Sequence, residues 1–256
     1  MRIAMGVEYD GAAFHGWQIQ KGVDTVQASV ERALSRVADH RVAVQCAGRT
    51  DAGVHGLGQV IHFDTESVRS SRNWVLGTNV NLPPDVNINW AREVPAEFHA
   101  RFSAVKRRYR YVILNRMTRS AIDRDRAVWI HRPLDELRMQ HAARHLEGTH
   151  DFSSYRALAC QAKSPVRTVS RLDIQRRGDK ILIDITANAF LHHMVRNIAG
   201  VLIAIGEGDQ PADWTQRVLE FRDRTLGGVT APPQGLFLVS VGYPQEYGIP
   251  AQMMRS

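Results

Sequence analysis

The chain has 256 residues, 44% of them hydrophobic and 23% charged, which suits a globular protein with one large core or two smaller ones. No apolar run reaches membrane-span length, and the N-terminus "MRIAMGVEYDG" lacks a signal-peptide core. Cys46 and Cys160 are too few and too far apart for a disulfide framework or a CxxC metal pair, so the net charge of +7 belongs to an expected cytoplasmic protein with two incidental thiols.

The first element, "RIAMGVEYD", alternates Ile3, Met5, Val7 and Tyr9 on one face, as a strand does. A glycine-rich loop follows, and Asp24 with Gln27 resembles a capping box opening a helix that carries Val26, Val30, Ala33, Leu34 and Val37. "RVAVQCAG" and "GLGQVIHFDT" read as strands, "RNWVLGTNVNL" as a short helix and "VNINWAREV" as a strand. The pattern then recurs. "KRRYRYVILN" and "VWI" are strand-like, and "LDELRMQHAARHLEG" reads as an amphipathic helix capped by Gly148. "RTVSRLDIQRRGDKILIDITANAF" is a hairpin turning at Arg177-Gly178-Asp179. Two helices, "HHMVRNIAGVLIAIG" and "ADWTQRVLEFRDR", precede a closing strand, "GLFLVSVGY". This order predicts an α+β protein of two halves, residues 1–103 and 104–256.

The charge is unevenly placed. Residues 1–100 hold 9 basic and 11 acidic groups, residues 101–180 hold 19 and 8, and residues 181–256 hold 5 and 7. The central segment alone is therefore strongly positive, which suits a polyanionic partner. Arginine outnumbers lysine 29 to 4, favouring bidentate phosphate contacts and stacking on bases. Within "ARFSAVKRRYRYVIL", Tyr109, Tyr111 and Ile113 share one strand face and Arg108 and Arg110 the other. Such a strand is either a core face backed by solvated arginines or a nucleic-acid surface combining a stacking tyrosine with phosphate-binding arginines.

Among the candidate reagents, Asp51 stands out in "CAGRTDAGVHGLGQVIHFDT", flanked by Gly48 and Gly53 and two residues after Arg49. A neighbouring guanidinium keeps a carboxylate ionised, as a nucleophile or base requires, yet an aspartate between glycines equally suits a plain turn. His192 and His193 are adjacent, which on a helix would point them about 100° apart. His141 and His145 have ligand-like spacing but no accompanying Glu or Cys, so no metal is expected. Phosphate-loop, dinucleotide and nucleophile-elbow motifs are absent, which argues against nucleotide hydrolysis, hydride transfer and serine hydrolase chemistry.

Several stretches, in order, resemble the tRNA pseudouridine synthase A family: "YDGAAFHGWQ" (9–18), "TVQ" (25–27), "GRTDAGVHGLGQVIHF" (48–63), "LPPDV" (82–86), "FHARFSAVKRRYRY" (98–111), "DFSSYR" (151–156), "NAFLHHMVRNIAG" (188–200) and "GLFLVSVGYP" (235–244). The resemblance spans nearly the whole chain without departure at the active-site positions. It implies an enzyme that converts uridine to pseudouridine at positions 38, 39 or 40 of the tRNA anticodon stem-loop, with no cofactor and no metal. The implied fold is two RRM/ferredoxin-like halves with sheets joined across a basic central cleft, working as a homodimer. By the same resemblance Asp51 is the nucleophile. Arg49 pairs with it and displaces the base, Tyr109 packs on the base, and Leu236 lines the uracil pocket. Arg101, Arg107 and Arg108 fall in the stretch expected to hold RNA. A non-catalytic RNA-binding module using the same basic surface is the alternative.

Overall fold

In the computed structural model, which describes residues 1–250, the first alternating run becomes strand β1 (Arg2–Tyr9). Residues 251–256, the tail of the expected C-terminal half, lie outside the described residues. The chain folds as two units, one from Met1–Val105 with the stretch beginning at Phe237, the other from Lys106–Leu236.

The first unit contains β1, helix α1 (Val26–Ala38), the two-residue strand β2 (Gln45–Cys46), β3 (His55–Asp64), helix α2 (Ser71–Asn81) and β4 (Val86–Val94). This is the expected strand-helix-strand-strand-helix-strand order. β1 lies between β4 and β3, antiparallel to both, with Met5 opposite Ile61 and Ala91. β2 pairs with β3 on Gln45–His62 and Cys46–Ile61. One apolar cluster joins Ile3, Met5, Val7, Ile61 and Phe63 of the sheet to Val26, Val30 and Leu34 of α1 and Trp74 of α2. Each fully buried aliphatic or aromatic side chain of this kind contributes roughly 1.5–3 kcal/mol.

The helix cap is one residue later than the sequence pattern predicts. Thr25, not Asp24, is the N-cap, and its hydroxyl accepts from Ala28 N at 3.4 Å. Gln27 is drawn elsewhere: its carbonyl accepts from Ile19 N at 3.3 Å and its amide donates to Glu31 at 2.8 Å. The side chain that would have closed the box instead fastens the preceding loop.

The second unit is built on an antiparallel sheet of β5 (Lys106–Asn115), β9 (Lys180–Ala187), β8 (Val166–Arg177) and β7 (Gly148–Asp151), in that order, with β6 (Val128–Ile130) parallel to β5. The predicted β8–β9 turn is present, with Gly178 at φ 58°. Helix α3 (Glu136–Ala143) packs on β8 and α4 (Met194–Gly206) on β5, while α5 (Trp214–Phe221) packs against both helices. α3 is shorter than predicted: it tightens into a 3-10 turn, Arg144–Leu146, and Gly148 opens β7 instead of capping the helix. Glu147 directs this exit, because its carboxylate accepts from Leu172 N of β8 at 2.7 Å. His192 and His193 precede α4 rather than riding on it, and His193 takes a left-handed conformation at φ 62°. The closing strand, β10 (Leu236–Gly242), pairs in parallel with β3 at Phe237–His55 and Leu238–Gly56. Among the described residues no helix is long and apolar enough to cross a membrane.

Candidate active site and nucleic-acid interface

The loop between β2 and β3 carries Arg49, Thr50 and Asp51, and it is held from both sides. At its start Gln59 clamps the backbone of Gly48, the amide donating to Gly48 O at 2.6 Å and the carbonyl accepting from Gly48 N at 3.3 Å. Gly48 itself has no unusual φ. Its site is fixed by this clamp, whereas Gly53 does use glycine's freedom, at φ 75° in the turn where Val54 N donates to Asp51 O at 3.1 Å. Between them, buried Thr50 shares a 2.8 Å hydrogen bond with the Tyr9 hydroxyl, and its carbonyl accepts from Trp17 N at 2.9 Å.

The second support is the "YDGAAFHGWQ" loop. Gly53 N donates to Phe14 O at 3.4 Å, and Gly11 N donates to Nδ1 of His55 at 3.0 Å. His55 is only 2% exposed, stacks on Phe237 at 4.6 Å, and lies 3.1 Å from the Asp10 carboxylate. Two motifs some forty residues apart are thus hydrogen-bonded into one pair of loops. At its tip Asp51 is half-buried and Arg49 exposed, so an ionisable carboxylate and a guanidinium are presented on a backbone that cannot easily relax.

Arg101 belongs to the same unit. Burial pushes the Cys46 thiol up to about 11, while the positive charges of Arg49 and Arg101 both pull it down. Both guanidinium groups therefore act on the end of β2, where the Asp51 loop begins. Cys46 itself stays a neutral thiol and is no nucleophile.

Arg101 sits on a turn, 98–103, that is held by two histidines, His62 of β3 and His99 within the turn itself. His62 is 4% exposed, and burial, with His99 and Arg2 nearby and only Asp64 opposing, lowers its pKa to about 4. Its neutral ring accepts from Ala100 N at 3.1 Å. Since the unfolded imidazole titrates at its ordinary 6.5, the unfolded chain binds the extra proton between these values. The contribution of His62 to stability is complete above about pH 6.5 and is lost as the pH falls toward 4. Thermal midpoints measured from pH 7 to 4 should fall across that window, and His62→Asn should flatten the fall.

In the second unit, Tyr109 and Tyr111 face inward from β5, at 9% and 0% exposure. Tyr109 meets Phe190 edge-on at 5.0 Å, and the Tyr111 hydroxyl donates to Pro232 O at 2.8 Å. Burial raises the Tyr111 phenol well above its usual range, so it remains a donor. On the opposite face Arg108 and Arg110 share one carboxylate, Asp184, at 2.8 and 3.0 Å. Arg107 donates to Asn188 O at 2.9 Å. The segment leading to Leu236, which is 6% exposed, is tied down by α4: Arg196 donates to Ala231 O at 2.8 Å, and Asn197 accepts from Thr230 at 2.6 Å and Arg224 at 3.1 Å.

Of the predicted site residues, Arg49, Asp51 and Arg101 lie in the first unit, and Arg107, Arg108, Tyr109 and Leu236 in the second. Sequence reasoning missed the supports Tyr9, whose partner Thr50 lies 41 residues along the chain, and Gln59, left open the role of His55, and missed Phe102, whose exposure of 75% no pattern announces.

An α+β chain that presents a supported carboxylate and a separate arginine-rich strand has the equipment of an RNA-modifying enzyme. The family described as tRNA pseudouridine synthase matches residues 5–103 and 142–244, and the chain belongs to it. The tRNA pseudouridine synthase A of Nitrosococcus oceani is 60% identical over 250 residues, spanning 98% of this chain and 96% of that protein. The tRNA pseudouridine synthase A of Methylococcus capsulatus is 58% identical over 249 residues, covering 97% and 92%, and that of Pseudomonas aeruginosa 56% over 254 residues, covering 99% and 89%.

Proposed function

We propose that this chain isomerises uridine to pseudouridine at positions 38, 39 or 40 of the tRNA anticodon stem-loop, as a cytoplasmic homodimer, with Asp51 as nucleophile. The reaction breaks the C1′–N1 bond, turns the uracil and joins C1′ to C5; a proton leaves C5 and N1 ends protonated, so no atom is gained or lost in exchange with a co-substrate. A paired nucleotide must first leave its stack, at a cost of a few kcal/mol. Arg49 taking the vacated space and Tyr109 packing on the extruded base offset that cost, with Leu236 lining the uracil pocket. Arg101, Arg107 and Arg108 hold phosphates.

The observation that supports this reading best is the double clamp on Gly48 and Thr50, which fixes the backbone on either side of Arg49 and leads directly into Asp51. The deciding experiment maps pseudouridine in tRNA after incubation with the purified protein. Modification at 38–40 is expected; tRNA that is bound but unmodified would leave a non-catalytic binding module instead.

A salt series tests the arginines. Arg107→Ala should weaken tRNA binding and reduce the slope of log K against log salt by about 1. Adding Arg108→Ala should reduce the slope further with little loss of thermal midpoint, because Arg110 keeps Asp184 paired. An unchanged slope would place this cluster away from the RNA.

A further inference from the structure

Phe102 combines an exposed ring with an unusually well-held backbone. It is 75% exposed, and an isolated exposed apolar side chain would by itself be unremarkable. Its turn, however, is bonded at nearly every residue. Phe98 O accepts from Arg2 at 2.8 Å, and Ala100 O accepts from the Tyr243 hydroxyl at 2.6 Å. Ala100 N donates to Nδ1 of His62 at 3.1 Å, and Nδ1 of His99 accepts from both Arg101 N at 3.1 Å and Phe102 N at 3.3 Å. His99 N and Ser103 close the turn, His99 donating to Ser103 Oγ and Ser103 N to His99 O, each at 2.9 Å.

The rings continue this support outward. His62 and His99 are 4.6 Å apart, and His99 and Phe102 4.3 Å apart. The Arg101 guanidinium lies 5.6 Å from the Phe102 ring centroid. Acceptance of backbone N–H groups at Nδ1 requires neutral imidazoles, and burial lowers the pKa of both histidines. An exposed aromatic ring with an exposed guanidinium over it, on a backbone already ordered, offers what an unstacked nucleotide requires, ring surface for the base and a cation for its phosphate, with little ordering cost on binding. Arg101 and Arg49 both act on the Cys46 thiol, so this turn lies within electrostatic reach of the loop that carries Asp51.

We propose that Phe102 and Arg101 form a nucleotide-contact element, Phe102 stacking on an unpaired tRNA base and Arg101 holding the adjoining phosphate, and that His62 and His99 are positioning residues that keep the turn in shape. The proposal rests on the reading of the chain as a tRNA-acting enzyme.

The test uses the full chain and a fluorescent anticodon stem-loop RNA, with Kd read by anisotropy and kcat and KM by tritium release. Phe102→Ala should weaken Kd and raise KM by about tenfold at unchanged kcat, and Phe102→Trp should preserve both. His99→Ala should reproduce the Phe102→Ala values, and His99→Asn, whose amide oxygen stands where Nδ1 stood, should restore them. A Phe102→Ala Kd within twofold of wild type overturns the stacking contact; wild-type KM in His99→Ala overturns the positioning role. Should His99→Ala lose its thermal transition, His99→Gln decides, since moving the acceptor by one methylene should weaken binding where His99→Asn does not. Kd needs no turnover, so a wild type that fails to form pseudouridine defeats the functional reading separately from this one.

Discussion

Asp51→Ala is expected to abolish tritium release from 5-tritiated uridine in tRNA, lowering kcat by about 10⁴-fold or more, with tRNA Kd held within about threefold. In the proposed mechanism Asp51 starts the reaction, and the loop has no other carboxylate to replace it. The clamps made by Gly48, Gln59, Thr50 and Tyr9 remain in this variant, and alanine keeps the Asp51 carbonyl that accepts from Val54 N, so the chain should still fold. Asp51→Asn should be equally inactive, since an amide keeps the shape and loses the nucleophile. Arg49→Ala should act differently: the carboxylate remains, so kcat falls less far, and the loss grows with the cost of extracting the base from its stack. Tritium release by Asp51→Ala at even a tenth of the wild-type rate would remove Asp51 from the chemistry.

Legibility in the sequence follows the range of the interactions involved. Strand β1 is readable because alternation is local, and so is the turn at Gly178, where one residue type carries the signal. Helix α1 is readable in its body and misread at its cap, since Asp24 and Thr25 are both good caps and the choice depends on Gln27 being engaged by Ile19. The end of α3 is misplaced for the same kind of reason: Glu147 bonds to Leu172, a strand partner 25 residues away. At the site, Asp51 is visible in the sequence but ambiguous between turn and reagent. The support of its loop comes from Tyr9 and the 9–18 loop and has no local signature. Arg108 and Arg110 of β5 lie opposite the tyrosines as the alternation predicts, but their sharing of Asp184 depends on the β5–β9 register, which pattern alone does not set.

The same nonlocal support makes Gly11 a sensitive position. A Cβ built there would lie 2.0 Å from Val54 O and 2.6 Å from Val54 C, and both are backbone atoms that no rotamer change can move. Gly11→Ala must therefore separate the 9–18 loop from the segment after Asp51, straining the bonds from Gly11 N to His55, from Gly53 N to Phe14 O and from Trp17 N to Thr50 O. A displacement of about 1 Å at a reacting group costs on the order of 100-fold in rate, and overpacking costs roughly 1–3 kcal/mol in stability. Both losses are expected together in Gly11→Ala. Gly22→Ala provides the control: Gly22 has φ 80° with nothing within 4 Å of a Cβ, so alanine there adds backbone strain without pushing on the site. It should lose about 1 kcal/mol of stability and keep its kcat. If Gly11→Ala retains kcat as well as Gly22→Ala does, the close approach of the two loops serves stability alone, and the aim of Asp51 is set by the Gln59 and Tyr9 clamps without it.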